Sequence, residues 1–391
     1  MEIKITEVEN FLVKIPFRRV HKSGGNLPRI VTGRRYVISK VKTNIGIEGL
    51  GEAPAKETWG GSYGVYYGES PNTVLDVINE FLAPAIRGES PLDMSKIHEK
   101  MDRAVIGYPY AKACIDIALH DIVGTHLNIP VYDLLGGCFR NKIPLAHSLG
   151  LMPTEDAVKE AVEAVKEGVR TIKVKVSAPH RDPALDINHI MAIREAISDK
   201  INLTIDANQG WSPQMAIKTI KKLERYNILF AEQPTKGIRN MARVKAAVDT
   251  PIMADESVWT QYDVLEVMDK EAADFISLYW TKPGGLYRAM KMAAVAETAE
   301  MPCNVNGSIE MGVGNSANLH LAAAAEPVTH ACVIPVTNLK GKEQNRIANV
   351  YYLDDIITEP FKYDNGYLIV PNKPGLGINI DEEKLEQYRV N

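Results

Sequence analysis

Two periodicities divide the chain. Near the N-terminus, EVENFLVKI (7–15) and YVISKVKT (36–43) alternate apolar and polar residues and are rich in Val and Ile, which predicts half-buried strands. Between them RRVHKSGGNLPRI (18–30) reads as a polar, Gly-containing loop. IGIEGLGEA (45–53) leads into a second Gly/aromatic loop, TWGGSYGVYYGES (58–70). From Pro71 to His126 apolar residues recur at helical spacing, as in TVLDVINEFLAPAI and AKACIDIALHDIVG. The head of the chain is therefore read as an α+β unit, residues 1–130.

From about residue 143 the rhythm changes. Short apolar runs recur: PLAHSLG, TIKVKVS, LTIDANQ, ILFAEQP, PIMADES, FISLYW, CNVNGS and ACVIPV. Amphipathic stretches such as TEDAVKEAVEAVKEG and SPQMAIKTIKKLERYN separate them and open with Ser or Thr, as capped helices do. Eight βα units predict an α/β barrel of the (β/α)8 type over 131–360, with ACVIPV the weakest strand. An open doubly wound sheet would carry GxGxxG after its first strand, and none is present. The tail, 361–391, leaves the rhythm and is expected to return to the first domain.

Composition narrows the class. The 391 residues are 45% hydrophobic and 24% charged, as in an ordinary globular protein. The net charge of -4 leaves no cationic excess for phosphates, so nucleic acid is not an expected partner. Cys114, Cys138, Cys303 and Cys332 form no CxxC pair, which fits a reducing cytoplasm. The charged N-terminus lacks a signal-peptide h-region and no long apolar run predicts a membrane span, so the expected localisation is cytoplasmic.

The ends of the inferred barrel strands carry charge where a buried strand should be apolar. Lys173 and Lys175 close the second strand, Asp206 and Asn208 the third, Glu232 the fourth, and Asp255 with Glu256 the fifth. Each acid lies about one βα unit after the last, at the strand end where barrel enzymes place their chemistry. Three carboxylates at one mouth repel unless a cation joins them. An all-oxygen donor set favours Mg2+, with Mn2+ as the alternative. Lys173 and Lys175 share a strand face. Beside a divalent cation, positive neighbours and burial lower an amine's pKa, which makes Lys175 the expected general base.

Taken in order, KVK (173–175), DAN (206–208), EQP (232–234), DES (255–257), KPGG (282–285) and the upstream ACIDIALHDIVG…PVYDLLGG (113–137) resemble the enolase superfamily, most closely its muconate-lactonizing-enzyme branch. The resemblance covers nearly the whole chain. It implies a capping α+β domain over a modified (β/α)7β barrel, Mg2+ on Asp206, Glu232 and Asp255, and removal of a proton α to the carboxylate of a small acid. The resulting enediolate would be stabilised by the metal, with Lys173 touching the carboxylate and holding down the pKa of Lys175. Cap-loop residues His21, Trp59 and Tyr63 would contact substrate, with Trp59, Tyr63, Tyr66 and Tyr67 read as an aromatic lid. Asn208, Lys282, Asn306 and Glu310 are placed on the substrate side, although relatives often carry a structural basic residue at the Lys282 position. A homo-oligomer is expected by analogy.

One position departs from the pattern. Relatives in this branch usually carry a second lysine five residues before the Gly-Gly pair, and here that residue is Tyr279. Mandelate-racemase relatives use a strand-7 His, where this chain has Asn306. With one strong base, β-elimination or cycloisomerisation is expected, Tyr279 serving the leaving group. A racemase or epimerase of a small carboxylic acid or dipeptide-type substrate, a Schiff-base aldolase on Lys175 and a non-catalytic ligand-binding barrel are the alternatives.

Overall fold

The computed structural model describes residues 2–22, 30–177, 182–342 and 346–390, and of these the backbone alone at 19–22 and 30–31. The N-terminal unit is an antiparallel sheet of β1 (Ile5–Lys22), β2 (Ile30–Thr43) and β3 (Glu48–Ala53). Strand pairing between β1 and β2 reaches His21↔Val31 and Lys22↔Ile30, so much of the stretch expected as loop is strand. Polar composition hid it, because a hairpin arm beyond the core needs no apolar face.

A helical stretch over 71–86 and helices α1 (Met94–Ala104) and α2 (Pro109–Leu127) add to the cap. α2 is buried from Tyr110 to Gly124 because it lies between the cap sheet and the barrel. Two glycines of β3 permit its close approach: a Cβ at Gly49 or Gly51 would overlap the carbonyl oxygens of Ala118 and Cys114.

The second unit alternates β4 (Ala146–Leu149), α3 (Thr154–Lys166), β5 (Thr171–Lys175), α4 (Pro183–Ile197), β6 (Asn202–Asp206), α5 (Pro213–Leu223), β7 (Ile228–Glu232), α6 (Ile238–Lys245), β8 (Ile252–Ala254), α7 (Gln261–Asp269), β9 (Phe275–Leu278), α8 (Leu286–Thr298), β10 (Cys303–Val305) and α9 (Gly312–Ala324). Among the described residues β4 to β10 form one parallel sheet in sequence order. The eighth run, ACVIPV, forms no strand of its own. Its residues Cys332 and Val333 bridge to Leu145 and Asn306 at opposite sheet edges, which closes a TIM-type barrel beneath the cap. Two Pro residues within 327–335 and a short pairing length explain why it reads weakly.

Helix starts differ in detail from the capping expectation. Ser212 caps α5 by accepting from Met215 N–H. Thr154 is instead the first residue of α3, and its hydroxyl meets His189 Nδ1 at 2.9 Å. After the barrel, a hairpin of Tyr363–Asp364 and Tyr367–Ile369 pairs with Lys142–Pro144. The chain then meets the end of α2, where Val131 N–H donates to Gly375, and finishes beside β1 through Val390 N–H to Leu12 O. No helix among the described residues is long and apolar enough to cross a membrane.

Candidate active site

Parallel register gathers the polar strand ends. Lys175, Asp206 and Glu232 are direct neighbours across β5, β6 and β7, so their side chains share one face. Glu232 pairs with Met253, which puts Asp255 one step above it, just beyond β8. All three acids are buried.

Lysines now supply their counter-charge. Lys173 Nζ lies 2.6 Å from Glu232 Oε1 and 3.0 Å from Asp206 Oδ2. Lys175 Nζ donates to Asp206 Oδ2 at 2.5 Å and to Asn208 Oδ1 at 2.7 Å. Lys282 Nζ donates to Asp255 Oδ1 at 2.5 Å and to its carbonyl at 2.7 Å. Asn208 in turn donates to Glu256 Oε1 at 2.9 Å, and Asn306 to Glu232 Oε1 at 3.3 Å.

The electrostatics follow from this packing. Burial alone would lower the pKa of Lys173, but Asp206, Glu232 and Asp255 raise it, so Lys173 stays charged. Burial raises Asp206, yet Lys173 and Lys175 outweigh it and hold that carboxyl below the usual range. Glu232 is pushed well above the usual range by burial and then by Asp206 and Asp255. Glu256 rises to about 7 through burial, Asp255 and Asp206.

Among the described residues no three His, Cys, Asp or Glu side chains form a ready metal cluster, because ammonium groups stand between the acids. The donor set nevertheless fits a hard cation. Glu232 Oε2 is buried with no hydrogen-bond partner, and the repulsion that raises Glu232 is what a cation would relieve.

A cavity of about 590 Å³ opens over this cluster. Lys173, Lys175, Asn208, Asp255, Glu256, Tyr279 and Asn306 line it from the barrel, and Lys56, Trp59, Tyr63 and Tyr67 from the cap loop. Tyr279 packs its ring edge-on against Trp59, with centroids 5.0 Å apart, and its hydroxyl lies 3.4 Å from Asp255 Oδ2. Burial, then Asp255 and Glu232, hold its phenol well above the ordinary value. Ser62 seats the loop on the barrel: its hydroxyl donates to Gln209 Oε1 at 3.0 Å and accepts from Gly237 N–H at 3.1 Å.

Several expected residues lie elsewhere. Lys282 is fully buried behind Asp255 and does not line the cavity, with its ammonium 4.1 Å from the Tyr279 ring centroid. Glu310 is also buried outside the cavity lining; its Oε1 accepts Ser308 N–H, and Gly307, Ser308 and Ile309 line the cavity instead. Tyr66 leaves the lid to stack on Trp259 at 5.1 Å and bond Asp263. On β4, strand alternation turns Ser148 into the cavity and its neighbour His147, a residue given no role in the site, outward to Glu160 at 2.9 Å. The side chain of His21 lies outside the described residues. Lys56, Ser148, Gln209 and Tyr351 line the cavity without a sequence expectation. None of them carries a sequence signal, Lys56 being an ordinary lysine in PAKETWGG shortly after a strand.

The comparisons with known proteins decide the family. Residues 156–384 match the family "Enolase C-terminal domain-like", and residues 28–136 match "Mandelate racemase / muconate lactonizing enzyme, N-terminal domain". The chain belongs to the enolase superfamily. Within it the chain falls in the muconate-lactonizing-enzyme-like branch and is an enzyme of that superfamily. It is 31% identical over 394 residues to muconate cycloisomerase 1 of Rhodococcus opacus, covering 100% of both chains. It is 31% identical to an N-succinyl-L-Arg/Lys racemase of Bacillus cereus, over 99% of this chain and 98% of that one. The crystal structure of 2-chloromuconate cycloisomerase from Rhodococcus opacus 1CP superposes with a TM-score of 0.89 at 31% identity, covering 99% of this chain and 100% of the other.

Proposed function

We propose that this enolase-superfamily enzyme removes the α-proton of a small carboxylic acid with Lys175 as its single base, and completes a β-elimination or a cycloisomerisation. The observation that carries the reading is the register Lys175–Asp206–Glu232 on consecutive strands, with a phenol, Tyr279, on the cavity wall beside Asp255. Asp206, Glu232 and Asp255 would hold the divalent cation, Mg2+ or alternatively Mn2+. When bound, the cation supplies positive charge against the negative charge that grows on the substrate carboxylate as the α-hydrogen leaves.

The chain's own groups divide the remaining work. Lys175 is paired with Asp206 here, and its amine would turn to the substrate once Asp206, Glu232 and Asp255 held a cation in place of that pairing. Asn208 orients Lys175 through the 2.7 Å contact and is itself held by Glu256. Lys173, deeper in the same strand, donates to the substrate carboxylate. Tyr279 keeps its proton under burial and surrounding carboxylates, so it serves as a donor to the leaving group and not as a base. Racemisation needs a base on each face, and the cavity lining offers no second amine at the Tyr279 position.

The test is hydrogen exchange in D2O over sugar acids, hydroxyproline-type acids, dipeptides and muconate-like diacids with saturating Mg2+. Wild type is expected to exchange the α-hydrogen of at least one class. Lys175→Ala is expected to lose that exchange while still binding Mg2+ by calorimetry; unchanged exchange in the variant removes Lys175 from the mechanism.

A further inference from the structure

One wall of the cavity has a backbone conformation that its own sequence does not favour. Past β10 the chain turns through Gly307, Ser308 and Ile309, all three of which line the cavity. Ile309 has φ 63°, in the left-handed region, and it is β-branched, so the conformation is strained. Such a residue keeps that shape only where its surroundings impose it.

The groups that impose it come from the cap side and do not line the cavity. The carbonyl of Ile309 accepts from the hydroxyls of Tyr36, at 2.7 Å, and of Tyr352. The Tyr352 hydroxyl also lies 2.8 Å from the Glu310 carbonyl, and the two hydroxyls are 2.8 Å apart. Two phenol protons are thus shared between two carbonyls of one turn. Both rings are fully buried and pack edge-on, with centroids 6.3 Å apart. Tyr36 belongs to β2, and Tyr352 bridges to Phe17 of β1, so the cap sheet carries both. Burial holds both phenols well above the ordinary value, which keeps them donors. Arg34, also on β2, donates to the Ser308 carbonyl, and the Tyr110 hydroxyl of α2 lies 3.3 Å from Ser308 Oγ.

We propose that Tyr36 and Tyr352 are positioning residues: through the Ile309 carbonyl they hold the strained turn that shapes this wall, so that seating the cap sheet on the barrel completes the substrate cavity. They touch no reacting atom, and their effect falls on how tightly the acid is held. The consequence for substrate rests on the proposed function; the hold on the turn does not.

Hydrogen exchange into backbone amides, read by mass spectrometry on the full chain, tests the hold without substrate. In Tyr36→Phe/Tyr352→Phe the segment 307–311 is expected to exchange about tenfold faster than in wild type, the size of one lost hydrogen bond, with β5 to β7 unchanged. Tyr36→Phe alone, which leaves Tyr352 on the turn, is expected to shift the same segment less, and it decides the matter should the double variant not fold. Steady-state kinetics then read the cavity, with the acid whose α-hydrogen exchanges fastest in D2O as the probe. KM is expected to rise about tenfold in the double variant with kcat little changed. Asparagine adopts the left-handed region more readily than isoleucine. The same two hydroxyl deletions in an Ile309→Asn background should therefore leave amide exchange and KM close to those of Ile309→Asn itself. Unchanged exchange at 307–311, a rise spread evenly over the chain, a loss in kcat instead of KM, or an equal effect in the Ile309→Asn background overturns the proposal. If no acid exchanges its α-hydrogen, the proposed function fails alone, and amide exchange still decides the role of the two tyrosines.

Discussion

At the scale of single residues the site is a set of acids and amines whose mutual distances decide their protonation. Lys173 bridges two carboxylates, and the Tyr279 hydroxyl lies 3.4 Å from Asp255 Oδ2. Tyr279→Phe is expected to slow product formation about a hundredfold, the lower range for a lost general acid, while α-hydrogen exchange by Lys175 continues. Single-turnover assays beside exchange in D2O separate the two, and loss of both together would make the phenol part of proton abstraction. The acids and Lys175 stand out in the sequence because strand-end charges contradict burial, and Tyr279 stands out only because it departs from the lysine of the resembled family. Lys282 and Glu310 do not, since the same residue type serves equally as a buried partner or a cavity wall, and only packing distinguishes them. Lys56 was missed because a lysine after a strand is ordinary in sequence, and its place on the cavity wall is visible only in three dimensions.

At the scale of elements, parallel pairing converts the even βα spacing into a row of side chains. That spacing made the barrel legible, whereas the hairpin arm of β1 and β2 and the bridging eighth run carry too few apolar residues to announce themselves. The N-terminus of α9 shows how the units are joined. Glu52 of the cap accepts from Met311 and Gly314 N–H at 2.8 Å each, and Asp355 accepts from Gly312 at 3.1 Å. Burial raises Glu52 to about 8 and Asp355 to about 7, against the backbone donors. The folded chain therefore holds protons that the unfolded chain releases above the ordinary carboxylate value, and stability is lost as pH rises from about 4.5 through about 8. Thermal melts between pH 5 and pH 8 should show a smaller pH-dependent fall in Glu52→Gln than in wild type; equal slopes would mean that Glu52 ionises freely in the fold.

At the scale of the whole molecule, α2 lies between cap and barrel and ties both to the tail. Asp116 accepts Leu286 N–H at 2.6 Å, and Asp121 accepts Leu50 and Leu376 N–H at 2.9 and 2.8 Å. The cavity lies at the same junction, so a cation held by Asp206, Glu232 and Asp255 would be coupled to the stability of the assembled chain. Mg2+ at a hundredfold excess over its Kd should stabilise the fold by about 2.7 kcal/mol relative to EDTA, and Glu232→Gln should shrink that shift. A melting temperature indifferent to Mg2+ would contradict the cation assignment. The central claim is that Lys175, beside a cation-neutralised acid row, takes a carbon-bound hydrogen. Proton NMR in D2O with the Mg2+-loaded enzyme tests it most directly. The account predicts that wild type replaces the α-hydrogen of an accepted acid by deuterium and that Lys175→Ala does not, though it still binds Mg2+; exchange at the wild-type rate in Lys175→Ala would contradict it.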